Sequence, residues 1–262
     1  MNIVSKISFY LNVFGISPKR FINAAKGLSH YLRNKSKLKR QILKSAGSFQ
    51  ITKSYPCLYD RFDTAGSIPG HYFHQDIYAA SKILKNNPQK HVDVGSRIDG
   101  FVAHVASFRE IEIVDIREFN DKIKNVNFIK ADIMADSFSL INYCDSLSCL
   151  HSIEHFGLGR YGDNVDLNGH IKGFDNLQKI LKPGGRFYFS TVIGPQRIEF
   201  DAHRVFSLRY LLDMIIQSFR IHSFAYINDL NELIENAELN DKDISSNFNC
   251  NYGCGIFELT KL

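Results

Sequence analysis

The stretch HVDVGSRIDGF, residues 91–101, has the pattern of a short buried strand that ends in a glycine turn. Apolar Val92 and Val94 precede Gly95, and a second glycine follows at Gly100. Turns of this kind hold nucleotides or phosphate groups in many α/β proteins, because they bring main-chain N–H groups close to a ligand. The residues between and after the two glycines therefore indicate which ligand to expect.

Two phosphate-binding signatures do not fit this turn. Gly95 and Gly100 have the spacing of a P-loop, but Phe101 and Val102 stand where that motif needs Lys and Ser or Thr. A dinucleotide fingerprint, GxGxxG, needs a middle glycine so that the main chain can approach a pyrophosphate, and Arg97 takes that place. The turn therefore favours a ligand that presents no phosphate to it.

Acidic residues mark the ends of three successive predicted strands. Asp93 lies two residues before Gly95, Asp115 ends the next strand, and Asp132 ends the third. A carboxylate after the second strand can accept hydrogen bonds from both hydroxyls of an unphosphorylated ribose, and one after the third can accept from an adenine amino group. These acids suit a ligand with a free ribose, an ammonium group and a sulfonium. S-adenosylmethionine carries all three.

Strand-like and helix-like segments alternate from residue 70 onward. The predicted strands are 91–94, 111–115, 126–132, 144–150, 186–191, 221–227 and 255–260, and the predicted helices are 101–108, 174–185 and 207–219. This alternation predicts an α/β fold with a mostly parallel sheet and helices on both faces. Ligands of such sheets bind at the carboxyl ends of the strands.

Charge divides the chain into two regions. The first 59 residues contain no Asp or Glu, whereas Lys and Arg recur between positions 6 and 53. Within residues 17–43, apolar residues recur at helical spacing among basic ones. This pattern fits a helix on an anionic membrane surface, and it equally fits a helix that packs on a neighbouring domain with its basic face in solvent. We expect a basic helical N-terminal extension over residues 1–60 and one α/β domain over residues 61–262.

Other features argue against several classes of protein. No apolar run is long enough to span a bilayer, and the apolar run 7–16 is not followed by the small-residue cleavage site of a signal peptide. The five cysteines form no CxxC pair, which favours reduced thiols and a cytoplasmic protein. The aromatic-studded basic motifs of RNA-binding modules do not occur, so nucleic acid is not an expected partner.

Several longer stretches resemble known families. CDSLSCLHSIEHF (144–156) and LKPGGRFYFST (181–191) are similar to the fourth-strand and fifth-strand segments of class I methyltransferases. The chain also resembles a bacterial methyltransferase-like family of unknown function, often linked to surface-polysaccharide gene clusters. The stretches that carry this resemblance are GHYFHQD (70–76), HVDVGSRIDGFVAHVASF (91–108), HFGLGRYGD (155–163) and AHRVF (202–206). The resemblance implies a Rossmann-like class I methyltransferase fold with a seven-strand-type sheet.

The resemblance also implies S-adenosylmethionine as the cofactor and a set of residues around it. In this fold the segment before the first strand closes over the methionine end of the cofactor, and the loops after the strands hold the remainder. The expected cofactor-binding residues are His74, Asp93, Gly95, Ser96, Arg97, Asp115, Ile116, Asp132, Ile133, Cys149 and His151.

Two histidines are candidates for the general base. His155 belongs to the Glu-His pair after the fourth strand, and His203 follows the fifth strand within EFDAHRVFS (199–207). A histidine, with a pKa of about 6.5, suits the removal of a proton from a sugar hydroxyl as it attacks a methyl group. The alternative is a structural role for both segments, in which the Glu-His pair holds its loop, Asp201 caps the next helix and Arg204 forms an ion pair.

The polar loop GLGRYGDNVDLNGH (157–170) is a candidate for acceptor binding, since such loops bind ligands when a rigid scaffold carries them. Arg160 would contact a carboxylate or phosphate, and Tyr161 would stack on a sugar ring. Asp163, His170 and His203 could instead bind a divalent ion, but spacing does not separate this from hydrogen bonding, and we expect no metal. The expected substrate-binding residues are His71, Tyr72, Arg160, Tyr161, Asp163 and Arg204.

The combined expectation is an S-adenosylmethionine-dependent methyltransferase that O-methylates a sugar of a cell-surface glycan or its lipid-linked precursor. It would act in the cytoplasm, and the basic extension would suit work at the inner face of the cell membrane. The glycan acceptor follows from the resemblance alone. One alternative is a non-catalytic methyltransferase-like module that binds a glycan or a partner enzyme, with Arg97 filling the cofactor cleft. A second is an enzyme of the same fold with a different chemistry, such as methylation of a small molecule or a lipid or a nucleotide-linked step; with a small, uncharged acceptor it would tolerate Arg160→Ala.

Overall fold

The structure, a computed structural model, describes residues 3–44, 49–63 and 70–262. Contacts within the chain divide it into two compact units, Met1–Ile68 and Pro69–Leu262, whereas the sequence-based boundary falls after residue 60. The first unit contains helices α1 (Ile3–Val13) and α2 (Pro18–Lys44) and a short 3-10 turn, Asp60–Phe62. The expected helical N-terminal extension is therefore present.

One close approach organises the first unit. A Cβ atom added at Gly27, on α2, would lie 1.7 Å from the carbonyl oxygen of Leu58, so only glycine allows the two segments to pack this closely. Many apolar side chains of α1 and α2 remain exposed. Among the helices that the structure describes, none has the length and apolar character needed to cross a membrane.

The second unit is built on one eight-stranded sheet. Its strands, in chain order, are β1 (His91–Val94), β2 (Ile111–Asp115), β3 (Val126–Lys130), β4 (Cys144–Leu150), β5 (Leu181–Ile193), β8 (Phe219–Ile227), β9 (Leu233–Ile234) and β10 (Gly253–Lys261). Strands β6 (Arg197–Glu199) and β7 (His203–Val205) form a separate hairpin. All seven predicted strands are present, and most of their bounds differ by only a few residues.

The order of the strands defines the fold. Across the sheet they run β3-β2-β1-β4-β5-β10-β8-β9, and the first five are parallel to one another. β10 is antiparallel to both of its neighbours, β5 and β8. The strand order of the parallel part reverses between β1 and β4. The last strand of the chain, β10, is inserted antiparallel between β5 and β8. This is the class I methyltransferase arrangement. The expected Rossmann-like fold is confirmed.

Five helices accompany the sheet: α3 (Gly70–Asn86), α4 (Ala103–Ala106), α5 (Gly169–Ile180), α6 (Leu208–Ile215) and α7 (Asp241–Ser245). A single π-helical turn, Ile98–Val102, leads into α4. α5 begins and ends about five residues earlier than predicted. The lysine and glycines of LKPGG belong to β5 instead of the helix, because Pro183 cannot continue a helix.

The core lies on both faces of the sheet. Alternate residues of a strand point to opposite faces, and Phe187 and Phe189 of β5 join one apolar cluster while Tyr188 joins the other. The cluster with Tyr188 packs α3 and α4 against residues of β2, β4 and β5, and the cluster with Phe187 and Phe189 packs α5 and α6 against the other face. Burial on both faces explains the near-continuous apolar runs that mark these strands in the sequence.

Candidate functional site

A cleft opens at the carboxyl ends of β1 to β4, where ligands bind in open parallel sheets. Its walls combine apolar side chains with a few acids, arginines and histidines. The lining residues are Tyr72, Val94, Gly95, Arg97, Val114, Asp115, Ile116, Arg117, Ala131, Asp132, Ile133, Met134, Leu150, His151, Ser152, His155, Phe156, Tyr161 and Asp163. Several of these were predicted to bind cofactor or acceptor.

The glycine turn after β1 forms the floor of the cleft. Gly95 has a φ of +74°, and a Cβ added there would lie 2.2 Å from the Oγ of Ser152. Glycine is therefore required both for the turn and for the close contact with the segment that follows β4. The main chain at Gly95 remains open to the cleft, where it can approach a ligand.

Asp93 supports this turn from beneath. Its carboxylate is fully buried and accepts hydrogen bonds from the main-chain N–H of Ser96 (3.0 Å), from the Ser96 hydroxyl (2.7 Å) and from the hydroxyl of Ser148. Burial raises the pKa of Asp93 to about 6, although these hydrogen bonds oppose the rise. Neither Asp93 nor Ser96 lines the cleft, so both hold the shape of the turn from outside it. Cys149 is likewise buried and outside the cleft.

Asp115 reaches the cleft, but an arginine engages it. Arg117 donates to the Asp115 carboxylate from its main-chain N–H (2.8 Å), from Nε (3.0 Å) and from a terminal guanidinium nitrogen (2.7 Å). The same guanidinium lies over the ring of Tyr161, 4.6 Å from its centroid. Arg117 thus connects the end of β2 to the loop on the opposite side of the cleft. The sequence-based interpretation missed this arginine, although its position two residues after Asp115 was a signal for it.

Asp132 holds the corresponding position after β3. One of its carboxylate oxygens accepts the main-chain N–H of Met134 (2.8 Å), which leaves the second oxygen for a ligand. Ile116 and Ile133, the residues that follow the two acids, also line the cleft. The site therefore offers an apolar slot with a carboxylate at each of two adjacent strand ends. An uncharged base attached to a ribose matches this pattern of contacts.

Arg97 lies at the rim of the cleft. Its guanidinium bonds Asp99 (2.9 Å) and lies over the ring of Tyr72, 5.0 Å from the centroid. Half of the Arg97 side chain is exposed, so it does not fill the interior. It is placed to pair with a ligand carboxylate near the turn after β1.

His151 is held rigidly at the end of β4. It has a φ of +50°, unusual for a histidine, and its main-chain N–H donates to the carbonyl of Ser190 (3.1 Å). Its Nδ1 is 2.6 Å from the buried carboxylate of Glu154, which also accepts from the hydroxyl of Thr191 (2.9 Å). Burial opposes a charge on this ring, but the charges of Cys254 and Glu154 raise the pKa of His151 well above its usual value.

His155 has the geometry of a general base. Its Nδ1 lies 2.7 Å from the carbonyl oxygen of Ala202, which can only accept, so Nδ1 carries the proton and Nε2 keeps its lone pair. Burial lowers the pKa of His155, although Glu154 opposes this shift, so the ring is neutral at pH 7. Within the described residues, Nε2 has no hydrogen-bond partner, and His155 lines the cleft.

His203 lies behind His155 and does not line the cleft. The two ring centroids are 6.3 Å apart. The Nε2 of His203 is 3.3 Å from a carboxylate oxygen of Glu199, yet it is buried without an aligned hydrogen bond. The separation of the two groups is that of an ion pair, but their relative orientation does not allow a hydrogen bond. Burial lowers the pKa of His203, although the Glu199 charge opposes the shift. The structure therefore favours His155 over His203 as the residue that can reach a ligand.

The glycine-rich loop after β4 is held in shape by Asp163 and Arg204. Asp163 accepts main-chain N–H groups of Gly157 (2.8 Å), Gly159 (3.2 Å) and Tyr161 (3.2 Å). Arg204, which is buried, donates to the carbonyls of Phe156 and Leu167. Both were predicted to bind substrate, but in the structure both side chains form hydrogen bonds with main-chain groups of the loop and its ends. Tyr161 lines the cleft, and the Arg160 guanidinium donates to the Ala202 carbonyl (2.9 Å).

The remaining predicted residues lie on α3 or behind the loop. Tyr72 lines the cleft, whereas His74 faces a separate groove beside Leu233 and Glu235. His71 is buried next to His151. His170 bonds the hydroxyl of Tyr210 (2.7 Å). Asp163, His170 and His203 do not form a metal-binding group in the part of the chain that the structure describes.

The strand order and the position of the cleft define a protein of the class I methyltransferase fold. The chain belongs to the family described as "Caenorhabditis protein of unknown function, DUF268", whose model matches residues 88–252. A search of the curated proteins finds no match.

Several solved structures are similar to the chain at low sequence identity. The N-methyltransferase NodS from Bradyrhizobium japonicum WM9, in complex with S-adenosyl-L-homocysteine, is 11% identical with a TM-score of 0.46, and the match covers 71% of this chain and 87% of that one. The 1,6-didemethyltoxoflavin-N1-methyltransferase from Burkholderia thailandensis is 13% identical with a TM-score of 0.49, over 72% and 79%. A putative sarcosine dimethylglycine methyltransferase from Galdieria sulphuraria is 11% identical with a TM-score of 0.49, over 71% and 83%.

Proposed function

We propose that the chain is an S-adenosylmethionine-dependent methyltransferase. The observation that carries this proposal is the apolar slot with Asp115 and Asp132 at adjacent strand ends. Asp115 would accept ribose hydroxyls, and the free oxygen of Asp132 would accept the adenine amino group. Arg97, at the turn after β1, would pair with the carboxylate of the methionine portion. Two carboxylates in the slot also disfavour a nucleotide with phosphate groups there.

His155 would remove the proton from the acceptor. S-adenosylmethionine, when bound, supplies a methyl group on a positively charged sulfur. Nε2 of His155 would take the proton that the acceptor hydroxyl loses as its oxygen is methylated. The Ala202 carbonyl holds this ring in the required tautomer. The walls of the cleft contribute mainly by placing the two reactants in line.

The acceptor that we propose is a sugar hydroxyl of a cell-surface glycan or its lipid-linked precursor. Tyr161 is about one-third exposed (36%) on the loop opposite Asp115, which allows its ring to stack on a sugar. The loop around it is polar and glycine-rich, with its main chain ordered by Asp163. These features support a polar acceptor, and the choice of a glycan rests on the sequence resemblance.

The working location that we propose is the cytoplasmic face of a membrane. In the first unit, exposed apolar side chains lie on and beside the helices α1 and α2 among basic residues: Phe14, directly after α1, is 80% exposed and Phe21, on α2, is 76% exposed. Amphipathic helices of this composition bind anionic lipid surfaces. A lipid-linked acceptor would be concentrated at the same surface.

The first test is calorimetric titration of the purified protein with S-adenosylhomocysteine, beside Asp115→Ala. We expect the wild type to bind and the variant to lose about 10–100-fold in affinity, the usual effect of removing hydrogen bonds to a charged group. Asp121→Ala, an exposed acid on the loop after β2, is the matched control and should bind like the wild type. If folded wild-type protein does not bind, the non-catalytic module becomes the better interpretation.

A further inference from the structure

Three potential metal ligands meet beside the cleft. His71 is in the first turn of α3, His151 directly follows β4, and Cys254 is the second residue of β10. Their donor atoms all lie within 4.8 Å of one another, and Nδ1 of His71 is 3.2 Å from Nε2 of His151. All three side chains are buried, with exposures of 7%, 8% and 0% respectively. In the described part of the chain, this is the one group of histidines, cysteines and acids arranged in this way.

The contact of His151 with Glu154 directs the opposite ring nitrogen, Nε2, towards the other two ligands. Nδ1 of His151 faces the Glu154 carboxylate at 2.6 Å, which can only accept, so Nδ1 keeps a proton and Nε2 is the nitrogen that would exchange its proton for a metal ion. Histidines that bind metals are commonly oriented in this way by a carboxylate on the opposite nitrogen. Tyr252 and Tyr72 pack on the two imidazole rings, with centroids 5.4 Å from His71 and 5.0 Å from His151. The rings are therefore held in place before any ion binds.

The spacing of the two nitrogens fits a tetrahedral ion. With Zn–N bonds of ~2.0 Å, tetrahedral geometry holds two nitrogens about 3.3 Å apart, close to the 3.2 Å found between His71 and His151. The sulfur of Cys254 interacts with the ring of His151 and makes long contacts with Oε1 of Gln75 (3.7 Å) and the carbonyl oxygen of Gly255 (3.8 Å). Its sulfur lies within 4.8 Å of the two histidine nitrogens, so the three ligands already surround one gap. The alternative occupant of the gap is a proton, which would join the two histidines in an ordinary hydrogen bond.

We propose that His71, His151 and Cys254 bind one zinc ion. Two imidazoles and a thiolate form a ligand set that suits Zn²⁺ among the common divalent ions, and three protein ligands leave a fourth position for water or an acceptor atom. On binding, the proton of the Cys254 thiol and the proton between the two histidines are released to solvent, and the thiolate and both imidazoles take the ion. The ion would border the cleft, because His151 also lines it. This proposal departs from the expectation, drawn from the sequence, that no metal is bound.

The test is metal binding by the full chain after removal of metal with a chelator. We expect one equivalent of Zn²⁺ to bind in competition with a chromogenic indicator. Co²⁺ should give the visible bands of a tetrahedral site together with a thiolate-to-cobalt charge-transfer band. In Cys254→Ser the charge-transfer band should disappear. In His71→Ala, zinc affinity should fall by more than the ~10–100-fold that follows loss of an outer-shell partner.

Two matched controls separate these ligands from similar residues nearby. Cys144→Ser removes another buried cysteine, and His74→Ala removes another histidine of α3, and neither change should alter zinc affinity or the cobalt spectrum. If a ligand variant does not fold, the proposal can still be tested on the wild type. Bound Zn²⁺ should slow the alkylation of Cys254, which peptide mass spectrometry measures. Sub-stoichiometric binding, a spectrum without thiolate, or unchanged affinity in both ligand variants would overturn the proposal and leave a hydrogen-bonded histidine pair.

Discussion

A single hydrogen bond distinguishes the two candidate bases. The Ala202 carbonyl directs the lone pair of His155 away from the main chain, whereas Nε2 of His203 is buried behind it. We expect His155→Gln to lower methyl transfer by about 10²–10⁴-fold, the usual contribution of a general base, and to leave S-adenosylhomocysteine affinity unchanged. The measurement is transfer of a tritiated methyl group from S-adenosylmethionine to a cell-envelope glycan extract.

His203→Gln is the matched control for this prediction, and it should retain most of the activity. The pH dependence gives a second readout. The pKa of His155 is lowered, so its basic form persists to a pH below the ordinary histidine range, and the rate should begin to fall only there. Equal losses in the two variants would contradict the assignment of His155 as the base.

Residue positions were predictable wherever the end of a strand determines them. Asp115 and Asp132 reach the cleft because a short apolar run sets the end of each strand. The partners of these side chains were not predictable, because they come from distant parts of the chain. The contact of Arg117 with Tyr161 and that of His155 with Ala202 each join segments more than 40 residues apart. Asp93 was assigned to the cofactor by its motif, but the two serines that enclose it keep it outside the cleft.

At the scale of elements, the glycine-rich loop depends on Arg204 of β7. This buried guanidinium binds carbonyls at both ends of the loop, at Phe156 and Leu167. We expect Arg204→Met to lower the free energy of unfolding by about 3 kcal/mol, because buried carbonyls lose their donor. Urea unfolding measures this effect, and limited proteolysis should show faster cleavage within residues 157–168.

The exposed Arg209 is the matched control, since among the described residues its one ion pair is with exposed Asp241. Arg209→Met should change the free energy of unfolding by less than about 0.5 kcal/mol. Equal effects at the two positions would contradict the structural role of Arg204.

Most strands were predictable from the sequence, because burial on both faces of the sheet gives them continuous apolar runs.

Helix α5 was placed about five residues too late, since its first five residues include Gly169 and Gly173, which have low helix propensity. Packing explains these glycines. A Cβ at Gly173 would lie 2.3 Å from the ring of Phe156, and one at Gly169 would lie 2.8 Å from the main chain of Gly157. The helix begins where the loop must approach it closely, which a propensity pattern does not show.

At the scale of the whole molecule, buried neutral histidines should make the fold sensitive to acid. Burial lowers the pKa of His91 from 6.5 to about 3 and that of His170 from 6.5 to about 4. Below pH 6.5 these two histidines become protonated in the unfolded chain but stay neutral in the folded state. The free energy of unfolding therefore decreases as the pH falls. At pH 5 each histidine should reduce the free energy of unfolding by about 2 kcal/mol.

The measurement is urea unfolding at pH 7 and pH 5 for the wild type, His91→Gln and exposed His222→Gln. His91→Gln should reduce the difference between the two pH values by about 2 kcal/mol, and His222→Gln should not change it. Comparing variants is necessary because Asp93, whose pKa is raised, contributes in the opposite direction. A pH difference that is the same in His91→Gln and the wild type would contradict the prediction.

The first unit should bind anionic vesicles through its two helices. We expect the full chain to co-sediment with vesicles that contain phosphatidylglycerol, more weakly at high salt, and not with phosphatidylcholine alone. Replacing exposed Phe14 and Phe21 by alanine should lower the partition at least ~10-fold, because each loses apolar burial in the lipid. Phe200→Ala, an equally exposed phenylalanine (85%) of the second unit, is the control and should have no effect.

The position of Arg117 has a consequence for the order in which two ligands arrive. Under the proposed function, ribose hydroxyls bound at Asp115 would have to share or replace the three hydrogen bonds from this arginine. Whatever displaces the guanidinium from the carboxylate also changes its contact with Tyr161, on the side of the cleft assigned to the acceptor. Binding of the methyl donor and binding of the acceptor would therefore both depend on the position of Arg117. Thermodynamic linkage then requires each ligand to change the affinity of the other by an equal factor. Kinetically, such an enzyme would follow a sequential path with a preferred first ligand.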